Sequence, residues 1–179
     1  MPTPFGHSLA GYAFARLTRV QVTRDERLLF VFAASVGILP DLLGETLWKL
    51  ARMPTHGFAH SLAAMVLVAA VSAAVAARGG FRFWPVVLLV AAAYGSHLAT
   101  DLLRPDVTPG DGEQLLWPLR GSYGITFNIL PHIPVHGGFG DTAAHVRAIG
   151  SILVREALVL GPLAVAAHFV RPRIPGRRH

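Results

Sequence analysis

Four apolar runs dominate the chain: LLFVFAASVGILPDLL at 28–43, HSLAAMVLVAAVSAAVAA at 60–77, WPVVLLVAAAYGSHLATDLL at 84–103 and SILVREALVLGPLAVAAHFV at 151–170. The later three approach the ~20 residues that carry a helix across ~30 Å of hydrocarbon. The first is shorter, and Pro40 is expected to bend or end it. Thr23 followed by Glu26 has the spacing of a capping box just ahead of that run. A weaker helix is expected over roughly residues 7–18. Residues 104–150 are rich in proline and glycine and predict an irregular segment outside the hydrocarbon. The pattern predicts an all-α fold: one membrane-embedded domain over 1–179, a bundle of about five helices with a long outer loop and a basic tail, RPRIPGRRH, at 171–179.

Composition agrees. The chain is 53% hydrophobic and 15% charged, with a mean hydropathy of +0.48, against roughly half apolar and a quarter charged in a soluble domain. There is no cysteine, which excludes disulfides and thiolate metal sites. The net charge of +6 does not imply a nucleic-acid partner, because the arginines gather between the apolar runs, as membrane topology requires. Arg16, Arg19, Arg24, Arg27, Arg78, Arg82, Arg171, Arg173, Arg177 and Arg178 fall on one set of connections. Lys49, Arg52, Arg104, Arg120 and Arg147 are spread over longer loops that also hold Asp106, Asp111, Glu113 and Asp141. The positive-inside rule puts the first set, and the C-terminus, in the cytoplasm. The N-terminus has no basic region ahead of an apolar core, so no cleavable signal peptide is expected.

In this topology His97 and Asp101, one helical turn apart, lie near the outer end of their segment. Asp41 ends an outward run, His60 begins an inward one, and His7 begins the first helix. Ionisable residues from different helices thus meet at one membrane face. An aspartate in the membrane costs about 2.5–3.5 kcal/mol on insertion scales, so such residues point to function. Facing helices that project histidine and carboxylate inward build metal sites. The bland readings are an interfacial histidine, a capping Asp41 and a structural His97–Asp101 hydrogen bond.

Several motifs, TPFGHSLAGYAFARL, GILPDL, GFAHSL, HLATDLL and LLWPL, follow one another from His7 to about Leu119. In order and spacing they resemble the YdjM-like family of inner-membrane, metal-dependent hydrolases, and the likeness extends into the last helix through Glu156. The resemblance implies metal-site roles for His7, Asp41, His60, His97 and Asp101. Its third motif usually reads HRxxTHS; here THGFAHS has Ala59 before His60 and His56 upstream. His56 is then a ligand, a shifted substitute or a neighbour. Where the family carries another acid after Pro-Asp this chain has Leu43, and Glu45 is the candidate substitute.

The outer segment NILPHIPVHGGFGDTAAH at 128–145 brings His132, His136, Asp141 and His145 to the same side. It is either a lid with extra ligands, His132 and His136 first among them, or an interfacial loop whose histidines face water. Trp117 and Tyr123 suit a membrane-interface belt. Glu156 either pairs with Arg155 or reaches the site as a supporting group or general base.

Imidazole and carboxylate without thiolate suit Zn²⁺ first, with Mn²⁺ or Fe²⁺ as alternatives, as one or two ions. The expected reaction is hydrolysis by metal-activated water, with Asp101, Glu45 or Glu156 as candidate catalytic bases. A site at the outer edge of a bacterial inner-membrane bundle faces the periplasm and meets lipid head groups, so the expected substrate is a lipid ester, foremost a phosphoester as in the zinc phospholipase C group. A metal or proton transporter is one alternative, although the inner halves MVLVAAVSAAVAA and WPVVLLVAAAY lack ionisable groups. A non-catalytic protein stapled by a structural metal is the other.

Overall fold

The computed structural model describes residues 3–23, 25–103, 114–119 and 142–170, with 142–145 from the backbone alone. Among the described residues the elements are α1 (Pro4–Leu17), α2 (Glu26–Ala51), a 3₁₀ turn (Phe58–His60), α3 (Leu62–Arg78), α4 (Phe83–Leu102) and α5 (Thr142–His168), an all-α bundle as the hydropathy pattern predicts. The expected outer loop lies mostly outside the described residues, but its end does not: 142–150 is helical and opens α5. The proline- and glycine-rich composition stops at Asp141, and the Ala-rich stretch after it suits a helix.

Two local expectations change. The cap of α2 is Asp25, whose carboxylate accepts from the amides of Arg27 at 2.9 Å and Leu28 at 3.3 Å. Thr23 caps Asp25 itself through a 3.1 Å bond. Glu26 is therefore the first helical residue, and its carboxylate turns instead to the Arg16 guanidinium at 2.8 and 2.9 Å. Pro40 does not end α2, which continues to Ala51, about 39 Å of helix. A proline inside a helix costs about 3 kcal/mol. Here the turn around it is buried against α1 and α4, and leaving the helix within lipid would strand further backbone groups.

α2, α4 and residues 146–168 of α5 are long and apolar enough to cross a membrane. The run at 60–77 gives up its first residues to the 3₁₀ turn and the Ser61 cap, so α3 has 17 residues, about 25 Å. Small side chains, such as Ala33, Ala64, Ala69, Ala73 and Ala93, line the interior, while Leu28, Val31, Val66, Leu67, Leu158 and Val165 stand exposed on the flanks. In lipid, helices associate by close backbone approach rather than by burying large apolar groups, and this distribution follows from that.

The short α1 is the hub, packed against α2, α4 and α5. Its first turn is preset by Pro4 and capped by Thr3, whose hydroxyl accepts from the Gly6 amide at 3.3 Å. α1 crosses α2 where Gly11 meets Gly37: a Cβ on Gly11 would lie 2.6 Å from the Ala33 carbonyl oxygen, and one on Gly37 would lie 2.5 Å from that of His7. That crossing lowers α1 deep enough for His7 to be fully buried.

Candidate metal centre

Each of the buried polar side chains has a local reason for its position. On α4, His97 and Asp101 are one turn apart on the face turned to α1 and α2. Asp41 follows Pro40 on α2, and His7 lies in the second turn of α1. His60 sits on the 3₁₀ turn, which is held by the Tyr94 hydroxyl donating to the Ala59 carbonyl at 2.5 Å and by the Ser61 hydroxyl donating to Phe58 at 2.6 Å. Gly44 lets this loop rest on α2, since a Cβ there would meet the Thr55 carbonyl at 2.5 Å.

These three histidines and two aspartates aim at one point. His97 Nε2 is 3.0 Å from Asp101 Oδ2, 3.1 Å from His60 Nε2 and 3.6 Å from Asp41 Oδ1. His60 Nε2 is 3.4 Å from Asp41 Oδ1 and 3.8 Å from Asp101 Oδ2. His7 Nε2 is 3.6 Å from Asp101 Oδ1 and 3.9 Å from Asp41 Oδ2. With bonds of about 2.0–2.2 Å to a common cation, neighbouring ligand atoms stand roughly 3.0–3.6 Å apart. Most of the observed separations fall in or just beyond that range. Among the described residues two triads meet the spacing of a cation site, His7–His97–Asp101 and Asp41–His60–His97.

The hydrogen bonds behind the rings fix their protons. His60 Nδ1–H donates to the Thr55 carbonyl at 3.0 Å, and His97 Nδ1–H donates to the Gly37 carbonyl at 2.8 Å, since a carbonyl can only accept. The Thr100 hydroxyl gives its proton to the His97 carbonyl at 2.9 Å, and so it receives that of His7 Nδ1 at 3.1 Å. Each neutral imidazole therefore turns an Nε2 lone pair to the centre. Two such lone pairs facing each other at 3.1 Å repel unless a proton or a metal cation lies between them. His7 Nε2, Asp41 Oδ1 and both Asp101 oxygens are also buried without a hydrogen-bond partner, which costs free energy that coordination offsets. By spacing, tautomer and unpaired oxygens, the residues fit a metal ion.

His7, His60, His97 and Asp101 are at most 1% exposed, whereas the Asp41 side chain keeps 22%. The site opens on Asp41's side.

The sequence candidates divide. His7, Asp41, His60, His97 and Asp101 are brought together. Glu45 is exposed and pairs with Lys49 at 3.0 Å. The His56 ring lies 4.9 Å from that of His60, and its carbonyl accepts from Gln114 at 3.3 Å. Glu156 is fully buried but bonds to Thr3, with Arg155 on the exposed face of the same helix. His132 and His136, and the side chain of His145, lie outside the described residues. Trp117, expected in an interface belt, packs edge-on against Phe58 at 5.1 Å. Sequence reading did not single out Thr100, Thr3 or the Gly37 carbonyl. Thr100 was within reach, because it lies three residues after His97 on the same helical face.

Searches among curated proteins and among solved structures find no match. A family model does: the one described as YdjM inner membrane protein aligns with residues 1–173. That alignment takes in every helix and all of the clustered histidines and aspartates. The chain belongs to the YdjM inner membrane protein family.

Proposed function

We propose that this chain is a membrane-bound metal-dependent hydrolase whose site opens to the periplasmic face and acts on lipid esters, phosphoesters first. The observation that carries the reading is the set of three imidazoles locked with Nε2 inward around the buried Asp101 and the partly buried Asp41.

Such a set holds one ion. His97 Nε2 belongs to both triads, and its single lone pair serves only one metal. The mixed donors suit Zn²⁺, Mn²⁺ or Fe²⁺. A divalent ion there supplies a water acidified toward neutral pH and polarises the bond to be cut. The protein's own part is to orient the ligands through Gly37, Thr55 and Thr100, and to exclude water on every side but that of Asp41.

The lipid substrate is supported by what borders that opening. Leu42, next to Asp41, and Trp48, two turns on from Asp41 along the same face of α2, are exposed, so an ester reaching the site arrives along an apolar flank. The periplasmic orientation is supported by charge: Arg16, Arg78 and Arg82 mark the ends of α1, α3 and α4 opposite the site. Beyond the site the described core is apolar, from Leu98 and Ala93 through Val90 to Leu89 and Val86, which disfavours an ion pathway.

The test is metal analysis of the protein in lipid nanodiscs, then phosphate or head-group release from phospholipids. About one ion per chain and a turnover lost in His97→Ala and Asp101→Ala are expected. Absence of bound metal, or activity confined to soluble phosphoesters, overturns the reading.

A further inference from the structure

The buried stripe of α5 runs through Ile152, Glu156, Leu160 and Ala164, spaced one turn apart. Three of these are apolar, as packing requires; the fourth is a carboxylate with no solvent exposure. Glu156 Oε1 accepts from the Thr3 amide at 2.5 Å, and Oε2 accepts from the Thr3 hydroxyl. Thr3 is the cap of α1, and its carbonyl receives the His7 amide at 3.1 Å. Gly6, between them, has no room for a side chain: a Cβ would lie 2.7 Å from the Glu156 carboxyl carbon. At the other end of α1 the Arg16 guanidinium donates to the carbonyls of His168 at 2.7 Å and Val170 at 3.2 Å. α5 thus grips α1 at both ends, and its upper grip is one turn from a candidate ligand.

We infer that Glu156 is a positioning residue that sets His7 at the metal centre by holding the first turn of α1, and that it acts neither as ligand nor as general base. The inference rests on the reading that the centre holds a metal. Both carboxylate oxygens are engaged by Thr3, and no Glu156 atom joins either triad. A carboxylate also suits this place electrostatically, because the unpaired amides of a helix N-terminus carry partial positive charge. Carboxylate and backbone partners behind metal-bound histidines are worth 10- to 100-fold in affinity. Glu156 works one step further back, through the backbone that carries the ring.

A double-mutant cycle tests this, with Mn²⁺ and Co²⁺ titrated into the demetallated full chain in nanodiscs. Glu156→Ala is expected to weaken binding about tenfold in the wild-type background and to add nothing once His7→Ala is present. Glu156→Gln keeps the shape and an acceptor for the Thr3 amide, and should restore most of the affinity. Thr3→Val, which removes only the hydroxyl, should weaken binding in the same direction and serves if Glu156→Ala does not fold. Equal losses from Glu156→Ala with and without His7, or no loss at all, overturn the inference. A wild-type chain that binds neither ion overturns the metal reading on which it stands.

Discussion

Gly37 serves two ligands at once: its carbonyl accepts the Nδ1 proton of His97 at 2.8 Å, and its bare Cα lies under the backbone of His7. One residue of α2 therefore orients a ring on α4 and sets the depth of α1. With Pro40 three residues on, this part of α2 is shaped by the site as much as by the membrane.

Gly37→Ala should test that coupling. The new methyl would meet the His7 carbonyl oxygen at 2.5 Å, so α1 must retreat. Overpacking of this kind costs about 1–3 kcal/mol. Thermal unfolding in detergent should show the loss, and titration should show weaker metal binding. A variant as stable as the parent, with unchanged affinity, would mean that α1 is free to shift.

Removing metal should destabilise the fold. Asp101 is 1% exposed and has two unpaired oxygens, so its charge is uncompensated once a cation leaves. Saturation at a thousand times Kd contributes about 4 kcal/mol. A chelator should lower the Tm and Zn²⁺ or Mn²⁺ should restore it. Asp101→Asn should be more stable than the metal-free parent yet gain little from metal. A Tm indifferent to chelator would contradict the centre.

Arg16→Ala should separate stability from metal binding. This guanidinium, 8% exposed, joins Glu26 of α2 to the last carbonyls of α5 at the end of α1 remote from His7. Hydrogen bonds to charged groups are worth about 1.5–3 kcal/mol each when removed. Unfolding should move to lower denaturant while metal per chain stays the same.

Glu45→Ala should be nearly silent. Its exposed pair with Lys49 is of the helical i,i+4 kind worth about 0.3–0.5 kcal/mol. Lipid hydrolysis that falls more than about twofold would return Glu45 to the catalytic machinery.

The orientation is checked directly, because the chain has no cysteine to remove. A cysteine at Gly80, in the turn between α3 and α4, should react with an impermeant maleimide only after the cells are opened. One at Lys49, near the end of α2, should react in intact cells. The reverse pattern would place the site in the cytoplasm.

Hydropathy is a sum over neighbours in the chain, so the sequence alone determined that this is a helical membrane protein and where its apolar runs lie. It also determined which ionisable residues are out of place there, and among the described residues His7, Asp41, His60, His97 and Asp101 meet. Helix ends were less legible, because Asp25 and Thr23 are both capping residues two positions apart, and only packing decides whether Pro40 stops a helix. The tertiary structure alone decided the tautomers, since the acceptors that fix them are the carbonyls of Gly37 and Thr55 and an unremarkable threonine, groups with no signature in sequence. It alone separated Glu45 from Glu156 as well: both are glutamates on apolar helices, but the rotation of each helix turns one to the surface and the other onto the cap of α1.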